Sequence, residues 1–460
     1  MSYWCEATLV DGVVTRSVRV TAGADGRIVE VRAGVAPLAD DVRLGVVMPG
    51  AGNAHSHAFH RLLRGRTHGD GGDFWRWRDA MYTAAARLDP ALYRELARAV
   101  FAEMVVCGYT AVGEFHYLHH RRDGTPYAEA HAMELALVDA ARDVGIRLVL
   151  LDTAYLAGGI DAPLEPRQRA FGDGSAEGWL RRWHALDAAL PVDGSVTLGA
   201  AIHSVRAVSR ADIRTILDGL PPEVPLHAHV SEQPRENAEA LAAYGLTPIG
   251  VLAEAGALGP RLCLVHATHL TDADIASIGA AGASVAMCPS TEADLGDGIG
   301  PARRLAESGA RIALGSDQNA VVDPFLEMRG LEAGERLASG RRGCFDPGAL
   351  AHAASAGGYA ALGLGHHGIA VGDHCDLVEV DATSIRTAGS ALEQLPLAAT
   401  ASDVRRVVVA GRVVADGGIL VGSAGDPAAL LRAAIAAVDA AAAAAGAVAA
   451  VAAVDREETL

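Results

Sequence analysis

Two histidines one residue apart, His55 and His57, follow the apolar run Val46 to Met48 and the turn signal Pro49-Gly50. Side chains at i and i+2 of an extended segment point the same way, so both imidazoles can reach one point. Two neutral imidazoles converging at a strand end are half of a zinc site. Further donors recur downstream. His229 offers a third ligand, with Glu232 three residues on; His266 ends another apolar run; Leu314-Gly315-Ser316-Asp317 supplies an acid. Four nitrogen and oxygen ligands that leave one position open for water describe a catalytic site, whose chemistry is hydrolysis. His227 lies deeper in the same run as His229 and suits a core or supporting role. His269 falls in the loop before a helix, where a solvated or capping role is expected.

The elements that must position these groups read as a repeat of apolar strand, loop and helix. Candidate strands are Leu44–Met48, Tyr109–Glu114, Ile146–Asp152, Val196–Ile202, Val224–Val230, Leu262–His266, Ala283–Met287 and Arg311–Ser316. Helical patterns lie between most of them. One starts at the cap Asp89-Pro90 and stops at Gly108; another starts at Thr271-Asp272 and ends near Gly282. An open sheet could hold eight such strands. The polar residues favour a (β/α)8 TIM-like barrel instead. His57, Glu114, Asp152, His203, His229, His266 and Asp317 all fall at or just past strand C-termini, the rim where barrel enzymes carry their active sites. Short alternating runs before residue 47 and again in Cys375–Val380 and Val404–Val414 predict a small β-sandwich domain built from both chain ends. The expected division is 1–47 with 365–425 for that domain, 48–364 for the barrel, and 426–460 for an alanine-rich helix capped by Asp426.

Composition removes other classes. The 460 residues carry a formal net charge of −17, which argues against a nucleic-acid partner. All 39 basic residues are arginine, so a Schiff-base, phosphate-loop or metal-bridging carboxylated lysine is excluded. The six cysteines are scattered without a Cys-x-x-Cys pair, and no disulfide framework is expected. No signal peptide is evident at the N-terminus, and Ala440–Val454 is short of the roughly 20 strongly apolar residues of a membrane span. These features predict a soluble cytoplasmic protein with no membrane partner.

Over nearly its whole length the chain resembles the amidohydrolase superfamily, and within it the formimidoylglutamate deiminases of histidine degradation. The resemblance is carried by His55-Ser56-His57-Ala58-Phe59, Phe74-Trp75-Arg76-Trp77-Arg78-Asp79, Glu114-Phe115-His116-Tyr117, His203-Ser204-Val205-Arg206, His229 to Gln233, Val265 to His269, Ser290 to Gly298 and Gly315-Ser316-Asp317. It implies one divalent metal ion, zinc by preference with iron or manganese as alternatives, held by His55, His57, His229 and Asp317. It further implies Glu232 and His266 as catalytic groups with Asp317 as proton acceptor, and His60, Arg78, Tyr117, His203 and Arg206 as the groups that bind a small anionic amidine. The activity implied is hydrolysis of N-formimino-L-glutamate to N-formyl-L-glutamate and ammonia, in a homodimer. Two positions depart from the family pattern: His60 stands where glutamine is usual, and Asn319 where histidine is common. The rival within the superfamily is a deaminase of an aromatic amidine such as guanine or cytosine, which would call for stacking groups more than paired arginines. A barrel that had lost its chemistry should lack ligands, and none of the four is missing.

Overall fold

The structure, a computed structural model, describes residues 1–68, 74–422 and 425–457, with side chains described as far as Ala444. Four strands open the chain: β1 (Ser2–Val10), β2 (Val13–Ala22), β3 (Ile28–Arg32) and β4 (Val42–Pro49). Eight parallel strands follow: β5 (Ala51–Ser56), β6 (Tyr109–His116), β7 (Arg147–Ala154), β8 (Val196–Ile202), β9 (Leu226–Val230), β10 (Leu262–His266), β11 (Ser284–Met287) and β12 (Arg311–Leu314). The chain returns through β13 (Leu377–Val380), β14 (Val404–Val409), β15 (Arg412–Asp416) and β16 (Ile419–Leu420). The first four and last four form one mixed sheet in the order β16-β15-β14-β13-β4-β1-β2-β3. That sheet has its own core, in which Tyr3, Cys5, Val20 and Leu44 meet Cys375, Leu377 and Val408.

One strand assignment is corrected. Leu44–Met48 is not the first barrel strand; it lies in β4, paired with β1 and β13. The barrel begins after the turn, at β5, whose sequence Ala-Gly-Asn-Ala-His-Ser carries no branched aliphatic residue. Small residues are needed there because β5 is the closing strand. Asp317 N donates to His55 O at 2.9 Å, and His57 N donates to Asp317 O at 2.9 Å, joining the loop after β12 back to β5. A Cβ on Gly315 would sit within about 3.0 Å of the His55 backbone, so the seam closes only with glycine there.

The two expected helix starts hold. Asp89 caps the helix Pro90–Val106 by accepting from Leu92 N, and Thr271 forms a capping box on Asp272–Ala281. The final helix, Pro427–Glu457, docks through buried Leu431, Ala434 and Val438. A bidentate pair between Asp439 and Arg66 fastens it to the loop that follows the His-x-His segment.

Candidate active site

The barrel seam places His55 on the last turn-facing positions of β5 and His57 just beyond it, in extended conformation. β9 brings His229, and the loop after β12 brings Asp317. The four candidate ligands gather around His55 and His57: His229 Nε2 lies 3.2 Å from His55 Nε2 and 3.4 Å from His57 Nε2. Asp317 Oδ1 is 3.3 Å from His55 Nε2 and 3.5 Å from His57 Nε2. All four residues are buried.

The protonation state at this point follows from the outer hydrogen bonds. His57 Nδ1 is 2.9 Å from Phe115 O, and His229 Nδ1 is 2.9 Å from His203 O. A carbonyl oxygen only accepts, so both rings carry their proton on Nδ1 and turn an Nε2 lone pair inward. Burial, together with the neighbouring imidazoles, holds His57 and His229 well below the usual histidine range, so they are neutral. Burial alone would raise Asp317, but the hydrogen bond from His55 and the nearby imidazoles hold its carboxyl well below the usual range. The inward lone pairs of His57 and His229 and the Asp317 carboxylate all face one point beside His55 Nε2, which makes that point attractive to a cation. The donor set therefore fits a divalent metal ion, with the fixed tautomers that metal-binding histidines show.

His266 and Glu232 stand beside this cradle. His266 Nε2 is 3.6 Å from Glu232 Oε1 and 4.0 Å from Asp317 Oδ2, while its Nδ1 is 3.7 Å from Glu292 Oε1. Burial would lower His266, but Glu232, Glu292 and Asp317 outweigh it and push it up to about 10. Glu232 is raised by burial, partly offset by His266 and Arg206. Both His266 and Asp317 hold positive φ, 71° and 41°. Non-glycine residues rarely adopt that region, and such strain gathers where side chains must be aimed.

Beyond Glu232 a cavity of about 570 Å³ is lined by Arg78, His203, Arg206 and Tyr155. Arg206 Nη2 lies 3.9 Å from Glu232 Oε2, and its Nε lies 3.9 Å from Glu236 Oε1. Both are too long for hydrogen bonds, and the buried Arg206 Nε has no partner among the described residues. The Arg78 guanidinium lies over the ring of Tyr82, 5.4 Å from its centroid. His60 and Tyr117 lie deeper. His60 Nε2 bonds Tyr117 Oη at 3.0 Å, and its ring packs 4.4 Å from that of His57. Burial pushes His60 down to about 3, so it is neutral.

Other rim residues serve elsewhere. Glu114 accepts from Ala58 N at 2.6 Å and thereby fixes the turn after His57. Asp152 receives two bonds from Arg182, which also binds Glu134 and Asp173. His227 donates to Ala361 O, in keeping with a core role. His269 is half-buried and does not cap the following helix, whose cap is Thr271; its Nε2 donates to Asp297 O at 2.8 Å. Asn319 is a clamp, accepting from Ser316 Oγ and donating to Ser56 Oγ and His57 O. The segment Ser290 to Gly298 contributes groups that spacing alone does not reveal. Glu292 backs His266, Asp294 holds Gln318 beside Asp317, and Asp297 holds Gln233 beside Glu232. The only signal for them is the resemblance of that segment to the family.

A closed parallel barrel with a His3Asp cradle at its C-terminal rim defines a metal-dependent hydrolase, and the chain belongs to the amidohydrolase family, whose model matches residues 46–414. Among characterised relatives it is 37% identical over 430 residues to a formimidoylglutamate deiminase of Pseudomonas aeruginosa, covering 90% of this chain and 94% of that protein. It is 30% identical to a 5-methylthioadenosine/S-adenosylhomocysteine deaminase of Halobacterium salinarum, covering 80% and 81% respectively. The fold superposes on the crystal structure of an amidohydrolase from Brucella melitensis with a TM-score of 0.88, at 30% identity over 95% of this chain and 99% of that one. A zinc-bound adenosine deaminase from Xanthomonas campestris matches with a TM-score of 0.81, at 25% identity over 96% and 98%.

Proposed function

We propose that this protein hydrolyses N-formimino-L-glutamate to N-formyl-L-glutamate and ammonia with one divalent metal ion. The observation that carries the proposal is a half-buried arginine, Arg206, whose buried Nε has no hydrogen-bond partner among the described residues and which stands between a roomy cavity and the carboxylate Glu232. A dianionic amidine whose carboxylates reach Arg206 and Arg78 has its formimino end directed toward Glu232, His266 and the cradle. The 37% identity to a formimidoylglutamate deiminase over 90% of the chain supports the same substrate.

His55, His57, His229 and Asp317 would hold the ion, and three imidazoles with one carboxylate suit zinc. When bound, such an ion supplies Lewis acidity and a hydrolytic nucleophile at neutral pH. The chain's own groups do the rest. Asp317 accepts a proton from the attacking water. His266, kept cationic by the carboxylates around it, donates to the oxygen that gains charge at the former formimino carbon. Glu232, its affinity for a proton raised by burial, passes that proton to the terminal nitrogen. Asp317, having handed its first proton on to Glu232, takes the remaining proton from the hydroxyl on that carbon as the carbon–nitrogen bond breaks with ammonia, not amide ion, as the leaving group, and the oxygen stays as a formyl group.

The test compares two substrates in two proteins. Arg206→Met should lower kcat/KM on formiminoglutamate by about 10- to 100-fold, the loss of a charge-assisted hydrogen bond at a desolvated site. A small neutral amidine should be little affected. Equal losses on both would mean general damage to the site, and a wild-type preference for an aromatic amidine would replace the substrate assignment.

A further inference from the structure

The cavity holds a third arginine that the proposed reaction does not use. Arg235 stands in the first turn of the helix Pro234–Tyr244, three residues after Glu232, and lines the same space as Arg78 and Arg206. Its guanidinium lies 4.6 Å from the centroid of the Trp75 ring, and that of Arg78 lies 5.6 Å from the same ring. Indole faces attract guanidinium groups, so Trp75 aligns one cation inside the cavity and one at its mouth. Exposure grades in the same direction: the Arg235 side chain is 64% exposed and that of Arg206 only 13%. Arg235 Nε pairs with Glu239 at 2.6 Å. Its Nη groups carry further N–H donors on the other edge of the fork.

We infer that Arg235 is an outer anion-binding position, the first contact for a dicarboxylate that then passes along Trp75 to Arg78 and Arg206. This rests on the dianionic substrate proposed above. A chain of net charge −17 repels such a ligand at long range. A local cationic mouth reverses that field where it matters and raises the rate of productive encounter. Glu239, one turn further on and also lining the cavity, opposes it.

The two parts predict opposite signs. With metal-loaded enzyme and formiminoglutamate at about 0.02 M ionic strength, Arg235→Gln should lower kcat/KM about three- to tenfold and leave kcat in place. The deficit should shrink at about 0.5 M salt, where the screening length is only a few ångströms. Arg235→Lys should retain most of the wild-type value, and Glu239→Gln should exceed it. Calorimetric affinity for N-formyl-L-glutamate should fall in Arg235→Gln by the same salt-sensitive factor. The inference is overturned if Arg235→Gln matches wild type, if its loss is indifferent to salt, or if Glu239→Gln shows the same loss, as partners in a plain helix ion pair would. Failure of the substrate assignment looks different: wild type would release no ammonia from formiminoglutamate. The calorimetric comparison then still decides on Arg235, and a wild-type protein that binds no dicarboxylate overturns it.

Discussion

His57 and His229 each spend one ring nitrogen on a carbonyl oxygen and turn the other toward His55, and that division of labour suits the binding of a metal ion. Removing one of them should release the ion. His229→Ala should lose most of the roughly one metal per chain found by elemental analysis of the wild type, and retained metal would mean that the third ligand lies elsewhere. Glu232 is a separate matter. It lies 3.6 Å from His266 rather than among the ligand atoms. Glu232→Gln keeps its shape and removes its exchangeable proton, so turnover should fall by about 10²-fold or more while metal content holds. Normal turnover in that variant would make Glu232 a plain rim carboxylate. His60, a departure from the family pattern, is neutral and bonded to Tyr117. An amide can make the same bond, so His60→Gln should preserve the reaction, as a product assay would show.

At the scale of elements, the ligand motif was legible because each donor ends or follows a strand, and strand ends read clearly from apolar runs. The strand that carries the motif did not. β5 has the composition of a loop because it is packed against the seam with Asp317, and only the closed ring explains it. The same applies to Asp294 and Asp297, whose partners Gln318 and Gln233 lie far along the chain. Such pairs depend on which loops the barrel brings together, and local pattern is silent on that. Beneath this loop, Glu327 on the helix Pro324–Ser339 accepts from Ser290 N at 3.0 Å. Burial pushes Glu327 from its ordinary 4.5 up to about 8. Between those values the folded protein keeps a proton that the unfolded chain releases, so this group's contribution to stability declines as pH rises and levels off above about 8. Glu327→Gln retains an acceptor for Ser290 N and cannot ionise. Its melting temperature should therefore fall less than that of wild type between about pH 5.5 and 8. An identical slope in the two proteins would mean that Glu327 is ionised in the fold.

The whole molecule is held together by a second buried polar centre, at the opposite end of the barrel strands from the cradle. Arg147, at the start of β7, binds Asp376 at 2.5 Å, and Tyr359 Oη donates to the same carboxylate at 2.6 Å. Asp376 also accepts from Ala410 N, and its own carbonyl accepts from Gly50 N. One residue, Asp376, thus ties barrel, return segment and mixed sheet through its carboxylate and the turn between β4 and β5 through its carbonyl. Arg147→Met leaves it buried without its cation, which typically costs about 3–5 kcal/mol. A clear drop in melting temperature with metal content unchanged is expected, and an unaltered melting temperature would show that the sheet is secured by its apolar core alone. These contacts brace the barrel whose rim carries the histidine cluster, Glu232 and the arginine-lined cavity. The most direct test of that arrangement is nuclear magnetic resonance of the products from metal-loaded protein and N-formimino-L-glutamate. N-formyl-L-glutamate and ammonia should appear in equal amounts, because attack at the formimino carbon expels the terminal nitrogen beside Glu232. Glutamate and formamide in their place, or no conversion at all, would contradict the proposed reaction.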